Sequence, residues 1–243
     1  RDNMSVGAGS VMVGAAIYGK ELYDYWKPRR IGVYGPTQVG KTTLDRYMTT
    51  PGEMEEIPED ERTRHFKSLF GSNYVLPHPS RKRIRYDGKR RVVHSSDMGG
   101  EKKFWSLWID DMVDRQVEGV IFMFDDRAKN GGSQSIDAVA GFEYLVDAII
   151  NRRYRYRRLR TRLKGKKYAP QFIYLVANKA DRWWDDQAST LWQQQRLREH
   201  SMFNAFRPAM IKLQKAGVVC RVNMMATRIG WNVENALIQM LTS

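Results

Sequence analysis

With 243 residues, 42% of them hydrophobic and 12% aromatic, the chain can bury one substantial core and has the size of a single domain with insertions. Lys and Arg outnumber Asp and Glu by 41 to 27, a net charge of +14, which favours an anionic partner such as lipid headgroups, nucleic acid or an acidic protein face. The single cysteine, Cys220, excludes a disulfide framework and a zinc site built on four thiolates. Set in the apolar run Gly217-Val218-Val219-Cys220-Arg221-Val222, it reads as a buried, inert thiol of a reducing compartment.

Residues 6–18 are nearly all small or apolar and are followed by Lys20, Lys27, Arg29 and Arg30. The stretch is too short to span a bilayer alone, which takes about 20 residues. Three readings stay open for residues 1–27: the end of a membrane anchor or membrane-lying segment with a positive cytoplasmic flank, a helix packed on a partner or on the domain, or a disordered tail. Glycines at 7, 9 and 14 suit close helix packing in the first two. Because the chain starts at Arg1 rather than at a methionine, an apolar stretch upstream is also open.

The domain proper is expected over residues 28–243. Arg30-Ile31-Gly32-Val33-Tyr34 reads as a short apolar strand, and the run after it, Gly35-Pro36-Thr37-Gln38-Val39-Gly40-Lys41-Thr42, fits a phosphate-binding loop at every required position. Glycines let the backbone curl so that successive N–H groups point at phosphate oxygens, Lys41 adds a point charge, and the Thr42 hydroxyl can ligate Mg²⁺. Thr43-Leu44-Asp45-Arg46-Tyr47-Met48 reads as the departing helix, its N-terminal dipole facing the anion. A ligand drawn from cytosolic GTP or ATP argues against a cleavable export signal in residues 1–27.

An insertion follows at about 49–80, acidic at Glu53, Glu55, Glu56, Glu59, Asp60 and Glu61, and reads as a connection rather than core. Ile84-Arg85-Tyr86-Asp87-Gly88-Lys89-Arg90 carries an Asp-Gly hairpin signal, with Arg91-Val92-Val93-His94-Ser95-Ser96 as the second arm, ending at Asp97. Residues 119–125 and 171–177 are continuous apolar runs, as strands buried on both faces require. Between them a helix starts near Ile136 and carries Val139, Phe142, Leu145 and Ile149 at helical spacing. Its continuation, an insertion at about 151–168, is dense in arginine from Arg152 to Arg162 with Tyr154 and Tyr156 interleaved. Such a stretch can bind phosphates and stack on bases, but a solvated helix, an acidic protein partner and an anionic membrane are open readings as well. Residues 217–225 supply the last strand, and a closing helix at 232–241 turns Val233, Leu237, Met240 and Leu241 inward. Alternating strands and helices predict a parallel sheet covered on both faces.

The phosphate loop alone cannot separate ATP from GTP. Asn178-Lys179-Ala180-Asp181 directly follows a buried strand, so it emerges at the carboxyl edge of the sheet, where such folds bind ligands. A carboxylate there can accept two N–H bonds from the guanine edge, whereas adenine presents a ring acceptor that would repel it. Met225-Ala226-Thr227 is a weaker signal, with a backbone N–H that could reach the guanine carbonyl. Asp97 can hold Mg²⁺ through a water, and the N–H of Gly100 can sense a γ-phosphate.

These motifs together resemble the small GTPases, and within them the ADP-ribosylation-factor (Arf) branch. Asp97-x-Gly99-Gly100-x-x-Lys103-x-x-x-Leu107-Trp108 is similar to the Arf switch II, and Gly40-Lys41-Thr42-Thr43-Leu44, Glu118-Gly119-Val120-Ile121-Phe122, Ala177-Asn178-Lys179-Ala180-Asp181 and Ala226-Thr227 support the likeness from about residue 30 to 241. The resemblance implies an α/β, P-loop NTPase, Ras-like three-layer fold with a mostly parallel central sheet, an antiparallel edge hairpin and helices on both faces. It implies nucleotide contacts from Gly35, Thr37, Gln38, Val39, Gly40, Lys41, Thr42 and Thr43, guanine reading by Asn178 and Asp181 with the Lys179 stem along the base, contacts from Ala226 and Thr227, and Mg²⁺ on Thr42 and, through water, Asp97. Two departures stand out. Glu101 occupies the place of the glutamine that orients the attacking water, and its charge should be repelled from a γ-phosphate unless protonated or paired, for instance with Lys102 or Lys103. The switch I threonine has no clear counterpart among Thr50, Thr63 and Ser80. The absence of a carboxyl-terminal cysteine argues against prenylation.

The expected protein is therefore an Mg²⁺-dependent GTP/GDP switch, cytosolic and on the cytoplasmic face of a membrane, with a protein effector at the switch regions and hydrolysis slowed by Glu101. The alternatives are a GTP-binding structural subunit of a membrane complex that scarcely turns GTP over, by broad analogy with the membrane subunit of the signal-recognition receptor, and a nucleic-acid-associated GTPase that uses the 152–162 arginines.

Overall fold

The computed structural model describes residues 29–49, 93–94, 99–114, 116–128, 133–151 and 170–241. The N-terminal segment, the 49–80 insertion beyond Thr49, the Asp-Gly hairpin, Asp97, the switch I candidates and the arginine-rich insertion lie outside these residues.

Among the described residues five strands, β1 (Arg29–Tyr34), β2 (Val93–His94), β3 (Gly119–Phe124), β4 (Phe172–Ala177) and β5 (Val219–Met224), form one sheet in the order β2-β1-β3-β4-β5. Every pairing among them is parallel. The arm expected at 91–96 appears as the short strand β2, at the edge of the sheet beside β1. The two uninterrupted apolar runs are the central strands: every residue of β3 and of β4 is buried, as parallel strands covered on both faces must be. At the other edge, β5 leaves Val219 47% exposed and buries Asn223 and Met224 at its carboxyl end. Register aligns Tyr34 with Phe122, Phe124 with Ala177 and Ala177 with Met224, so the loops leaving β1, β3, β4 and β5 open on one edge.

Successive side chains of a strand point to opposite faces, and the core divides accordingly. Val120, Phe122 and Phe124 of β3 pack with helices α2 (Trp105–Asp114), α3 (Ser133–Asn151) and α5 (Arg207–Lys215). Ile121 and Met123 face α1 (Lys41–Thr49) and α6 (Val233–Leu241) instead. In α3 the predicted inward residues Phe142, Leu145 and Ile149 are buried, with the ring of Phe142 tilted against that of Phe122 at 5.0 Å between centroids; Val139 is only half-buried. Truncating either ring to alanine would remove about 3 to 5 kcal/mol. In α6, Val233, Leu237 and Met240 are buried as expected.

Between Asp181 and Gly217, where no element was predicted, lie α4 (Asp186–Gln193), two 3-10 segments and α5. The Asp185 carboxylate caps α4 by accepting from Ala188 N–H at 2.7 Å. Gly217, at φ 73°, ends α5 in the left-handed conformation that glycine adopts without steric penalty, and turns the chain into β5. No helix among the described residues is long and apolar enough to cross a membrane.

Candidate functional site

The strand order reverses direction between β1 and β3, so the crevice outside their carboxyl ends is where a sheet of this kind receives a ligand. The loop leaving β1 lies there. Its Lys41 is buried, and its ammonium group donates to the carbonyls of Gly35 at 2.8 Å and Pro36 at 2.7 Å, curling the chain around the side chain. Gly40, at φ 95°, could carry no side chain: a Cβ there would sit 2.2 Å from Asn178 Nδ2. Val39 is buried, whereas Thr42 and Thr43 are half-buried in the first turn of α1, whose N-terminus lies at the crevice.

The loops leaving β4 and β5 close on the same place. Asn178, 1% exposed, is a brace: its Nδ2 donates to the Val39 carbonyl at 2.7 Å and to Thr227 Oγ1 at 2.9 Å, and its Oδ1 accepts from Thr227 N–H at 3.0 Å. Both amide hydrogens are thus used inside the protein, which leaves the exposed Asp181, on the 3-10 turn Ala180–Arg182, as the carboxylate that can meet an N–H edge. Lys179 adopts the left-handed conformation (φ 55°, ψ 39°) that turns the chain between these two roles. Trp183 fastens the turn from below, its indole N–H donating to the Asn178 carbonyl at 3.0 Å. Ala226 and Thr227 are buried beside it. All the phosphate-loop, base-loop and β5-loop residues expected from the sequence therefore lie at one edge.

Asp125 and Arg127, which the sequence reading passed over, join this edge. Asp125 follows β3 and is 2% exposed; its carboxylate accepts from Lys179 Nζ at 2.6 Å and from Arg127 Nε at 2.9 Å. Burial alone would push this carboxyl up, but the hydrogen bonds and charges of Arg127 and Lys179 outweigh it and hold it below the ordinary value. The available signal was an acidic pair and an arginine closing a continuous apolar run, a polar cluster placed by its strand at the ligand edge. Far from the edge, Cys220 is half-buried rather than buried as expected, and desolvation pushes its thiol up to about 12, so it is protonated at neutral pH.

On the opposite flank, Gly100 packs on the phosphate loop so closely that a Cβ would stand 2.2 Å from Thr37 N. Two indoles of α2 hold this approach: Trp108 donates to the Gly99 carbonyl at 3.0 Å and Trp105 to that of Gly100 at 3.4 Å. Trp108, wholly buried, also stacks on Tyr34 at 6.0 Å. Glu101 projects outward, and its carboxylate pairs with Lys103 Nζ at 2.6 Å, one of the two neutralising partners anticipated. Asp97, the expected water-mediated Mg²⁺ ligand, lies outside the described residues.

No family model matches the chain, and no curated protein matches it. Among solved structures it is similar to the Arl6 BBS3 small GTPase of Trypanosoma brucei with a bound nucleotide analogue GppNp, at 15% identity and a TM-score of 0.48, covering 88% of this chain and 96% of that one. It is also similar to a bacterial selenocysteine-specific elongation factor, EF-Sec, at 16% identity and a TM-score of 0.43, covering 89% of this chain and 29% of that one. The strand order, the two helical layers and the loop between β1 and α1 give the chain a Ras-like α/β fold of the P-loop type.

Proposed function

We propose that the protein is a GTP-binding switch of the small-GTPase kind that hydrolyses GTP slowly. The observation that carries this reading is the Asn178 brace, which ties the phosphate loop at Val39 to the β5 loop at Thr227 and so presents a backbone cradle and the Asp181 carboxylate to one ligand. Backbone N–H groups from Gln38 to Thr43, with Lys41, hold the phosphates; Asp181 accepts from the guanine edge. The donor set suits Mg²⁺, which is ordinarily bound by a few protein oxygens plus substrate phosphates: Thr42, half-buried in the first turn of α1 beside the phosphate loop, offers such a hydroxyl. Thr42 and, through water, Asp97 would hold it, and bound there it would neutralise charge on the β- and γ-phosphates. Gly100, against the phosphate loop and bonded by an indole of α2, would report the γ-phosphate to that helix. The net charge of +14 and the apolar segment at residues 1–27 support a site of action at an anionic cytoplasmic membrane face, which flotation with liposomes, with and without that segment, tests.

A second reading, a GTP-holding subunit with negligible turnover, is favoured by Glu101, which stands where a neutral water-orienting group is expected and is engaged with Lys103. The nucleotide reading is tested by competition between GDP and ADP on wild type and Asp181→Ala. Two charge-assisted hydrogen bonds are at stake, so the guanine preference should fall about 100-fold or more in the variant. An unchanged preference sinks the base-reading role.

A further inference from the structure

One carboxylate links the two halves of the nucleotide edge. Asp125 Oδ2 receives Lys179 Nζ at 2.6 Å, on the base-reading loop. The same carboxylate grips Arg127, whose Nε lies 2.9 Å from both its oxygens. Arg127 then reaches the outer bend of the phosphate loop: one terminal nitrogen donates to the Thr37 carbonyl at 3.1 Å and the other to Gln38 Oε1 at 3.3 Å. That bend needs holding. Gln38 sits at φ 63° although it is not glycine, a conformation that costs a residue with a Cβ on the order of 1 kcal/mol. The guanidinium fork thus fixes the strained residue and the carbonyl before it, while Asp125, its side chain 3% exposed, fixes the fork.

Resting on the nucleotide reading above, we propose that Arg127 is a positioning residue for the phosphate loop, and that Arg127, Asp125 and Lys179 couple the base-reading loop to it. Arg127 holds the bend in the shape that turns its N–H groups toward phosphate. Asp125 serves both sides, so its loss disturbs the base loop as well. The chemical partner is a nucleoside diphosphate or triphosphate, whose phosphate end and base end are felt by one buried carboxylate.

The experiment uses the full chain loaded with a fluorescent GDP, with dissociation followed after excess GDP is added, and base preference read by competition between GDP and inosine diphosphate, which lacks the exocyclic amine. Arg127→Ala should speed release about tenfold, the worth of one charge-assisted hydrogen bond, with the GDP preference within twofold of wild type. Arg127→Lys, which keeps the charge and loses the fork, should recover part of the rate. Asp125→Asn should both speed release and lower the GDP preference. A purely architectural role would lower the melting temperature of the nucleotide-free protein without this split between rate and preference. Release from Arg127→Ala within twofold of wild type overturns the positioning role while leaving nucleotide binding intact, whereas a wild-type chain that holds no guanine nucleotide overturns both readings. Should Asp125→Asn fail to fold, Arg127→Ala and Lys179→Met, whose shared partner is Asp125, replace it. Their combined effect on release should depart at least threefold from the product of the singles, and strict multiplicativity refutes the coupling.

Discussion

The two flanks of the phosphate loop are built by opposite means. On the base side, Asn178, Lys41 and Asp125 are buried and bonded at 2.6 to 2.9 Å to groups of the neighbouring loops. On the other side, Gly99 and Gly100 are buried, but Glu101, at the position proposed to act on water, is not: the side chains of Glu101 and Lys103 are 44% and 58% exposed. An exposed pair of this kind contributes about 1 kcal/mol or less. On the proposed reading, holding a nucleotide would rest on buried groups, whereas turnover would depend on a surface side chain whose partner can be exchanged for another cation at little cost.

The sharpest test of this contrast is Lys41→Ala. Removing the buried ammonium takes away the one charge at the centre of the loop and leaves the Gly35 and Pro36 carbonyls without their donor. Nucleotide affinity should fall more than about 100-fold, since bonds to charged groups contribute about 1.5 to 3 kcal/mol each. Equilibrium dialysis with GDP measures it, and retained binding would place the phosphates somewhere other than this loop.

Acid titration probes the same flank with a smaller effect. The Asp125 carboxyl lies below its ordinary value in the folded protein, so the stability it contributes is present above the unfolded carboxylate value, about 3.9, and is lost as pH falls through the folded value. Asp125→Asn strands Lys179 and Arg127 opposite a neutral amide, and should cost about 3 kcal/mol at neutral pH, the low end for breaking a buried pair, because both partners keep some solvent. Urea unfolding of wild type and variant should give a constant difference from neutral pH down to about 4 and a shrinking one below it. A difference that does not change with pH would show that the carboxylate charge is not what holds the two cations.

The binding flank was legible in the sequence because its signals are local. A phosphate loop must put glycine, lysine and threonine at fixed offsets, and a base-reading segment must follow directly on a buried strand; both constraints are short in sequence and were read correctly as placements at one edge. What escaped were pairings across the chain. Arg127 reaches Gln38 over 89 residues and Lys179 reaches Asp125 over 54, and no spacing rule announces either. Trp108 enters the sequence reading only as the end of the switch II motif and Trp105 not at all, and only the fold shows their indole N–H groups on the Gly99 and Gly100 carbonyls. Residues 186–215 went unassigned for a different reason: α4 is short and mostly polar, and much of its support comes from its Asp185 cap rather than from an apolar stripe.

The smallest expected effect lies on the turnover flank. Glu101 projects outward and pairs with Lys103 at 2.6 Å; on the proposed reading its charge would oppose a γ-phosphate at this flank. Glu101→Gln removes the repulsion and supplies a neutral side chain that can both donate to and accept from water, so single-turnover GTP hydrolysis should quicken. Because the pair is exposed, the gain is bounded by about 1 kcal/mol, roughly fivefold. Lys103→Ala sharpens the result, since it strips the carboxylate of its partner without making it neutral and should slow hydrolysis rather than speed it. Were Glu101→Gln and Lys103→Ala to change the rate in the same direction, the charge at 101 would not be the control, and the Gly99–Gly100 approach held by the two indoles would become the place to look for it.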